Sequence, residues 1–166
     1  DAPLLFRIPM SLFESTADQV GQANALRNLG DIEFRLGHND DARALFRRAL
    51  QLYESTGDQL GLANSLSNLG QLEATLGNLD PARKHFDDAL KLYEALQEPV
   101  GLTYSHGDLS VLALDDGDIP TANTHRQKAK HYAIASGAPA LPAWVDQLPA
   151  IPDLTQPFSQ EETSDE

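Results

Sequence analysis

Cysteine is absent from the 166 residues, and methionine and tryptophan occur once each. Without cysteine there is no disulfide framework, thiolate metal site or cysteine nucleophile, and the composition fits a reducing compartment, so a cytoplasmic location is expected. Cations are also scarce. Twelve Lys and Arg stand against 25 Asp and Glu, a formal net charge of -13. Like charge raises the barrier to approaching nucleic acid or an anionic bilayer, so neither is expected as a partner, and basic or neutral partners are favoured. No run of about 18 apolar residues exists to span a membrane, and no signal-peptide pattern opens the chain. The first residue is Asp1, not Met, so the natural N-terminus is expected to lie upstream or to have been removed. What remains is 41% hydrophobic, enough for one globular domain or one short solenoid.

The chain is built on a repeat. Glu14 to Gly30 reads ESTADQVGQANALRNLG, and Glu54 to Gly70 reads ESTGDQLGLANSLSNLG. Sliding the sequence by forty aligns residues 18–57 with 58–97, about half of the positions being identical, and more loosely with 98–137. Self-similarity at this period is the signature of stacked supersecondary units. Within each unit, apolar residues at helical spacing form two runs broken at Gly37-His38-Asn39, Gly77-Asn78-Leu79 and Gly117-Asp118-Ile119. Each unit is therefore a helical hairpin, six helices in all. Asp18 and Asp58 are expected to cap first helices, the second running to about Leu76. Asp40 and Asp80, the latter followed by Pro81, are expected to cap second helices, ending near Leu96 in the second unit. Pro99 and Pro120 mark helix starts in the third unit, and Gly137 a C-terminal cap.

Residues 1–17 repeat the pattern of 41–57 and are expected to form the second helix of a preceding hairpin, shortened or kinked at Pro9, which implies a piece of a longer solenoid. Beyond Gly137 the character changes. Half of the ten prolines fall in residues 138–166, together with six acids and no Lys or Arg. The stretch beyond Phe158 is expected to be unfolded. Leu141, Trp144, Val145, Leu148, Ile151 and Leu154 are too apolar for a free linker and are expected to cover the open end of the last hairpin, or, less favourably, to occupy the molecule's own groove.

Asn28-Leu29-Gly30, Leu36-Gly37, Ala42, Phe46 and Ala49-Leu50, with their counterparts Asn68-Leu69-Gly70, Leu76-Gly77, Ala82, Phe86 and Ala89-Leu90, resemble the tetratricopeptide repeat in its forty-residue form. The resemblance implies an all-α, right-handed superhelical solenoid of antiparallel hairpins, here with a Pro-rich acidic C-terminal tail. Gly30 and Gly70 are expected to leave room at the crossing of each hairpin, and Phe46 and Phe86 to fill the space between neighbours. The family's aromatic three residues after that glycine is replaced by Glu33 and Glu73. The third unit departs further, with Ser110 for the glycine, Asp116 for the leucine before the turn and Arg126 for the phenylalanine; it is expected to be looser or to cover a stack end.

In this family the first helices line a concave groove that holds an extended peptide or a partner helix, and the resemblance implies the same here. Read from spacing, Asn24, Asn28, Asp31 and Arg35 share one helical face, Asn64, Asn68, Gln71 and Thr75 repeat that row, and Tyr104, Asp108, Val111 and Asp115 continue it with other chemistry. Stacking turns the rows into a ladder of amides, which donate to and accept from a peptide backbone without reading its sequence. Asn28 and Asn68 are expected to grip ligand main chain; the alternatives are bonds across the hairpin stack or plain solvation.

The histidines, at 38, 85, 106, 125 and 131, have no ligand-like spacing, and neither a metal nor any other cofactor is expected. No Ser-His-Asp context or phosphate loop appears, and the chain is not expected to be an enzyme. The expected role is protein–protein interaction through the groove. The alternative is a regulatory or sensor segment of a larger bacterial signalling ATPase or transcription regulator.

Overall fold

The computed structural model describes residues 19–152. The helix expected over residues 1–17, the cap at Asp18 and the acidic end from Asp153 lie outside the described residues. Seven helices follow: α1 Gln19–Arg35, α2 Asn39–Thr56, α3 Gln59–Thr75, α4 Leu79–Leu96, α5 Pro99–Asp115, α6 Ile119–Ala135 and the short α7 Ala140–Asp146. No strand occurs among the described residues. Consecutive helices pair as α1–α2, α3–α4 and α5–α6, each hairpin packs on the next, and the first helices touch one another as α1 on α3 and α3 on α5. The result is an all-α helical-repeat solenoid. Among the described residues no helix is long and apolar enough to cross a membrane.

The helix starts follow local chemistry, with one correction. Asp58 caps α3 by accepting from the Gly61 amide at 2.9 Å. Glu98 caps α5 by accepting from Val100 and Gly101, with Pro99 as first helical residue. Helices α2 and α4, however, begin at Asn39 and Leu79, so Asp40 and Asp80 lie in the first turn instead of at the cap. The helix extends back past Pro81 because that residue's missing N–H falls among the first amides, which have no intrahelical acceptor anyway. The residues at the cap positions, His38 and Asn78, make no side-chain cap bond. Their side chains turn instead to Glu33, at 2.6 Å, and Glu73, at 2.7 Å. Asp40 and Asp80 still favour the positive end of the helix dipole.

Small-against-large packing sets the hairpin crossings. A Cβ placed on Gly30 would lie 2.6 Å from the Phe46 ring, and one on Gly70 2.6 Å from the Phe86 ring. Each ring also reaches the next hairpin, Phe46 packing with Leu69 and Leu72, and Phe86 with Leu109 and Leu112. A second wedge joins successive hairpins, since the Tyr53 ring sits where a Cβ of Gly61 would be, and Tyr93 does the same at Gly101. These glycines therefore recur for a packing reason.

Charges reinforce the same junctions. Arg43 of α2 donates through Nε to Glu73 of α3 at 2.9 Å, and Arg83, forty residues on, pairs with Asp116 after α5. Burial alone would push the Glu73 carboxyl up, but hydrogen bonds from Arg43 and Asn78 outweigh it and hold it below the usual range. Thus Glu73 and Asp116, both departures from the family pattern, each meet an arginine from the preceding hairpin.

The third hairpin answers its substitutions locally. Ser110 is fully buried and donates to the Ala122 carbonyl of α6 at 2.9 Å, so a polar bond replaces the close approach that glycine gives elsewhere. Arg126 donates to the Pro149 carbonyl. Leu141 and Val145 of α7 are buried on Ala129 and Ala133 of α6, and Trp144 covers Gly107 of α5.

Candidate functional site

The polar rows of α1, α3 and α5 divide by what their side chains already hold. Asn24 and Asn64 are occupied, because the Tyr53 hydroxyl donates to Asn24 Oδ1 at 2.6 Å and the Tyr93 hydroxyl to Asn64 Oδ1 at 2.7 Å. Burial pushes both phenols above their ordinary value, so both remain donors at physiological pH. Asp31 and Arg35 hold each other at 3.0 Å and are 44% and 76% exposed, an ion pair that contributes little.

Asn28 and Asn68 differ. Asn28 is exposed and Asn68 half-buried. Neither side chain is hydrogen-bonded within the described residues. Tyr104 is partly exposed and packs edge-on against Trp144 of α7, ring centroids 4.7 Å apart.

Gln71, Thr75 and Asp108 come together with Val111 and Asp115 at a cleft of about 400 Å³, whose apolar walls are Phe34 of α1, Ala74 of α3, Phe86 of α4 and Leu112 of α5. Asp108 occupies the position that Asn28 and Asn68 occupy in the earlier hairpins. Its Oδ2 is cut off from solvent and has no hydrogen-bond partner. Burial pushes this carboxyl up to about 7, with Gln71 pulling weakly the other way. Sequence reasoning missed the walls. The available signal was the pair Phe34 and Ala74, one large and one small at the same repeat position, which leaves space on the α3 side.

Two further groupings appear only in three dimensions. His106, 1% exposed, places Nδ1 3.0 Å from Nδ1 of His125, and its ring stacks on Tyr132 at 5.7 Å. Burial lowers His106 to about 4, with His125 adding to the effect. Glu33, His38 and Asp41 approach within 4.8 Å of one another at the first hairpin turn, an approach that the Glu33–His38 bond accounts for. The six-residue spacing of His125 and His131 gave no hint of either.

Comparison with known proteins accords with this geometry. No curated protein sequence matches the chain. Among solved structures, Aspartyl phosphate phosphatase F from Bacillus subtilis superposes with a TM-score of 0.79 at 16% identity, over 86% of this chain and 38% of that one. BtubC (BKLC) from P. vanneervenii superposes with a TM-score of 0.69 at 18% identity, over 86% of this chain and 65% of that one. The chain thus spans less than two thirds of either, and at these identities the likeness is one of fold. The sequence profile of the tetratricopeptide repeat matches residues 21–95, the span that holds both Gly–Phe crossings and the Gly61–Tyr53 wedge. Those residues match the tetratricopeptide repeat family, and the solved structures share the fold.

Proposed function

We propose that the chain is a protein-interaction module, binding an extended peptide or a helix of a partner along the face formed by α1, α3 and α5. The observation that carries this reading is the open state of Asn28 and Asn68. They are polar, accessible and unbonded among the described residues, in a row whose other asparagines are tied down by tyrosines. A side-chain amide presents a donor and an acceptor at one point, which matches the pairing needs of a peptide backbone. Each such bond contributes about 0.5–1.5 kcal/mol net.

Among the described residues no nucleophile and base stand within hydrogen-bond reach of one another on this face, which favours binding over catalysis. The net charge of -13 argues against nucleic acid and anionic membrane as partners, and the lack of cysteine suits the cytoplasm.

The reading is tested by replacing Asn28 and Asn68 together with Ala and measuring the affinity of peptides selected from a random display library against the parent chain. Affinity should fall about fivefold or more, the loss of about 1 kcal/mol or more, while the melting temperature stays within about 2 °C. Equal loss of both would return the asparagines to a structural role.

A further inference from the structure

We propose that the cleft beside Asp108 receives a cationic side chain, lysine or arginine, of the bound partner segment. This deepens the interaction reading above and rests on it. Asp108 is the third rung of the ladder that begins with Asn28 and Asn68, so a segment lying along those amides meets a carboxyl next. The cleft has apolar walls, Phe34, Ala74, Phe86 and Leu112, with Asp108 and Asp115 among the residues that line it. Lysine and arginine have that same division, an aliphatic stem with a charged head. An acidic ligand group would meet two carboxyls, and a purely apolar one would leave Asp108 Oδ2 without a partner. No cation among the described residues acts appreciably on Asp108. On the α1 side Arg35 is already held by Asp31.

A pH signature follows. The groups facing Asp108 are Gln71 from α3, Tyr93 from α4, and Tyr104 and Asp115 on its own helix. Tyr93 is raised from its ordinary value and stays neutral below it. In the free protein Asp108 holds its proton to about pH 7. A bound ammonium or guanidinium favours the carboxylate, so binding releases that proton, and affinity should drop about tenfold between pH 8 and pH 6.

The experiment selects binders from a random dodecapeptide display library at 150 mM salt and maps them by amide chemical shifts on the full chain. The expected binders perturb α3 and α5, carry a Lys or Arg whose replacement by norleucine costs tenfold or more, and weaken about tenfold from pH 8 to pH 6. With Asp108→Asn, both the preference for the cation and the pH slope should vanish. The norleucine arm leaves the protein unaltered and so decides the matter even if that variant folds poorly. Binders that map to this face but tolerate norleucine, or gain from glutamate, overturn the cation site and leave the interaction reading intact. Binders that map elsewhere, or a library that yields none, overturn both.

Discussion

Glycine at positions 30, 61, 70 and 101 is decided by single neighbouring rings. A methyl group on Gly70 would lie 2.6 Å from Phe86, whose ring is 2% exposed and packed between two hairpins. The gain in helix propensity, about 1 kcal/mol for Gly to Ala, works against an overpacking cost of about 1–3 kcal/mol. A rigid ring has few ways to give. Gly70→Ala should therefore lower stability by about 1–2 kcal/mol in urea unfolding, and Phe86→Leu in the same chain should recover part of the loss. Gly61→Ala should act similarly, and because it displaces Tyr53 it should also break the bond to Asn24. Gln97 is the one non-glycine described residue with positive φ, at 52°, where the neighbouring units place Gly57 and Gly137. Nothing else in the structure accounts for glutamine there.

Within the α5–α6 hairpin, two histidines stand where the first hairpin has leucine, the second hairpin keeping leucine at one of the positions and having His85 at the other. Leu26 and Leu66 correspond to His106, and Leu45 to His125. His106 is neutral in the folded state down to about pH 4, whereas unfolded it takes up a proton below about 6.5. Its contribution is thus fully retained above about pH 6.5 and is lost as pH falls toward 4, by about 2–3 kcal/mol. Asp108 acts with the opposite sign, since its folded-state value is raised and its stabilising effect is lost as pH rises through about 7. The measurement is therefore a difference. His106→Leu should gain stability on the parent chain progressively between pH 6.5 and pH 4.5, read by thermal melts at matched salt. A constant difference across that range would mean the pair is not buried neutral. The helix ends show how far local rules reach. Asp58 caps as its position suggests, but Asp40 and Asp80 do not, because the adjoining His38 and Asn78 find carboxylates one turn back.

Across the whole molecule, stability accumulates hairpin by hairpin. In a linear stack each unit touches its neighbours alone, and an end unit must find some other cover for its apolar face. Leu141 and Val145 of α7 are both buried on α6, against the third hairpin. Leu141→Asp with Val145→Asp should undock α7, lower the melting temperature by several degrees and raise dye binding to exposed apolar surface, since burying a carboxylate there costs far more than releasing a seven-residue helix. An unchanged melting temperature would show that α7 adds no stability.

The sequence by itself determined the period, the hairpins and the Gly–Phe crossings. Those depend on spacing along one helix and on turn residues, which are local and so leave a mark in a linear pattern. It also drew one polar row per first helix. Only the tertiary structure decided which members of those rows stay open. Asn24 and Asn64 are claimed by tyrosines 29 residues away, from the partner helix of the same hairpin, while Asn28 and Asn68 are not. Likewise Asp108 reads as one more polar rung until Phe34, Phe86 and Leu112, from three separate helices, close around its flank. Such environments are set by side chains that meet only after the hairpins stack, and no spacing within a single helix encodes them.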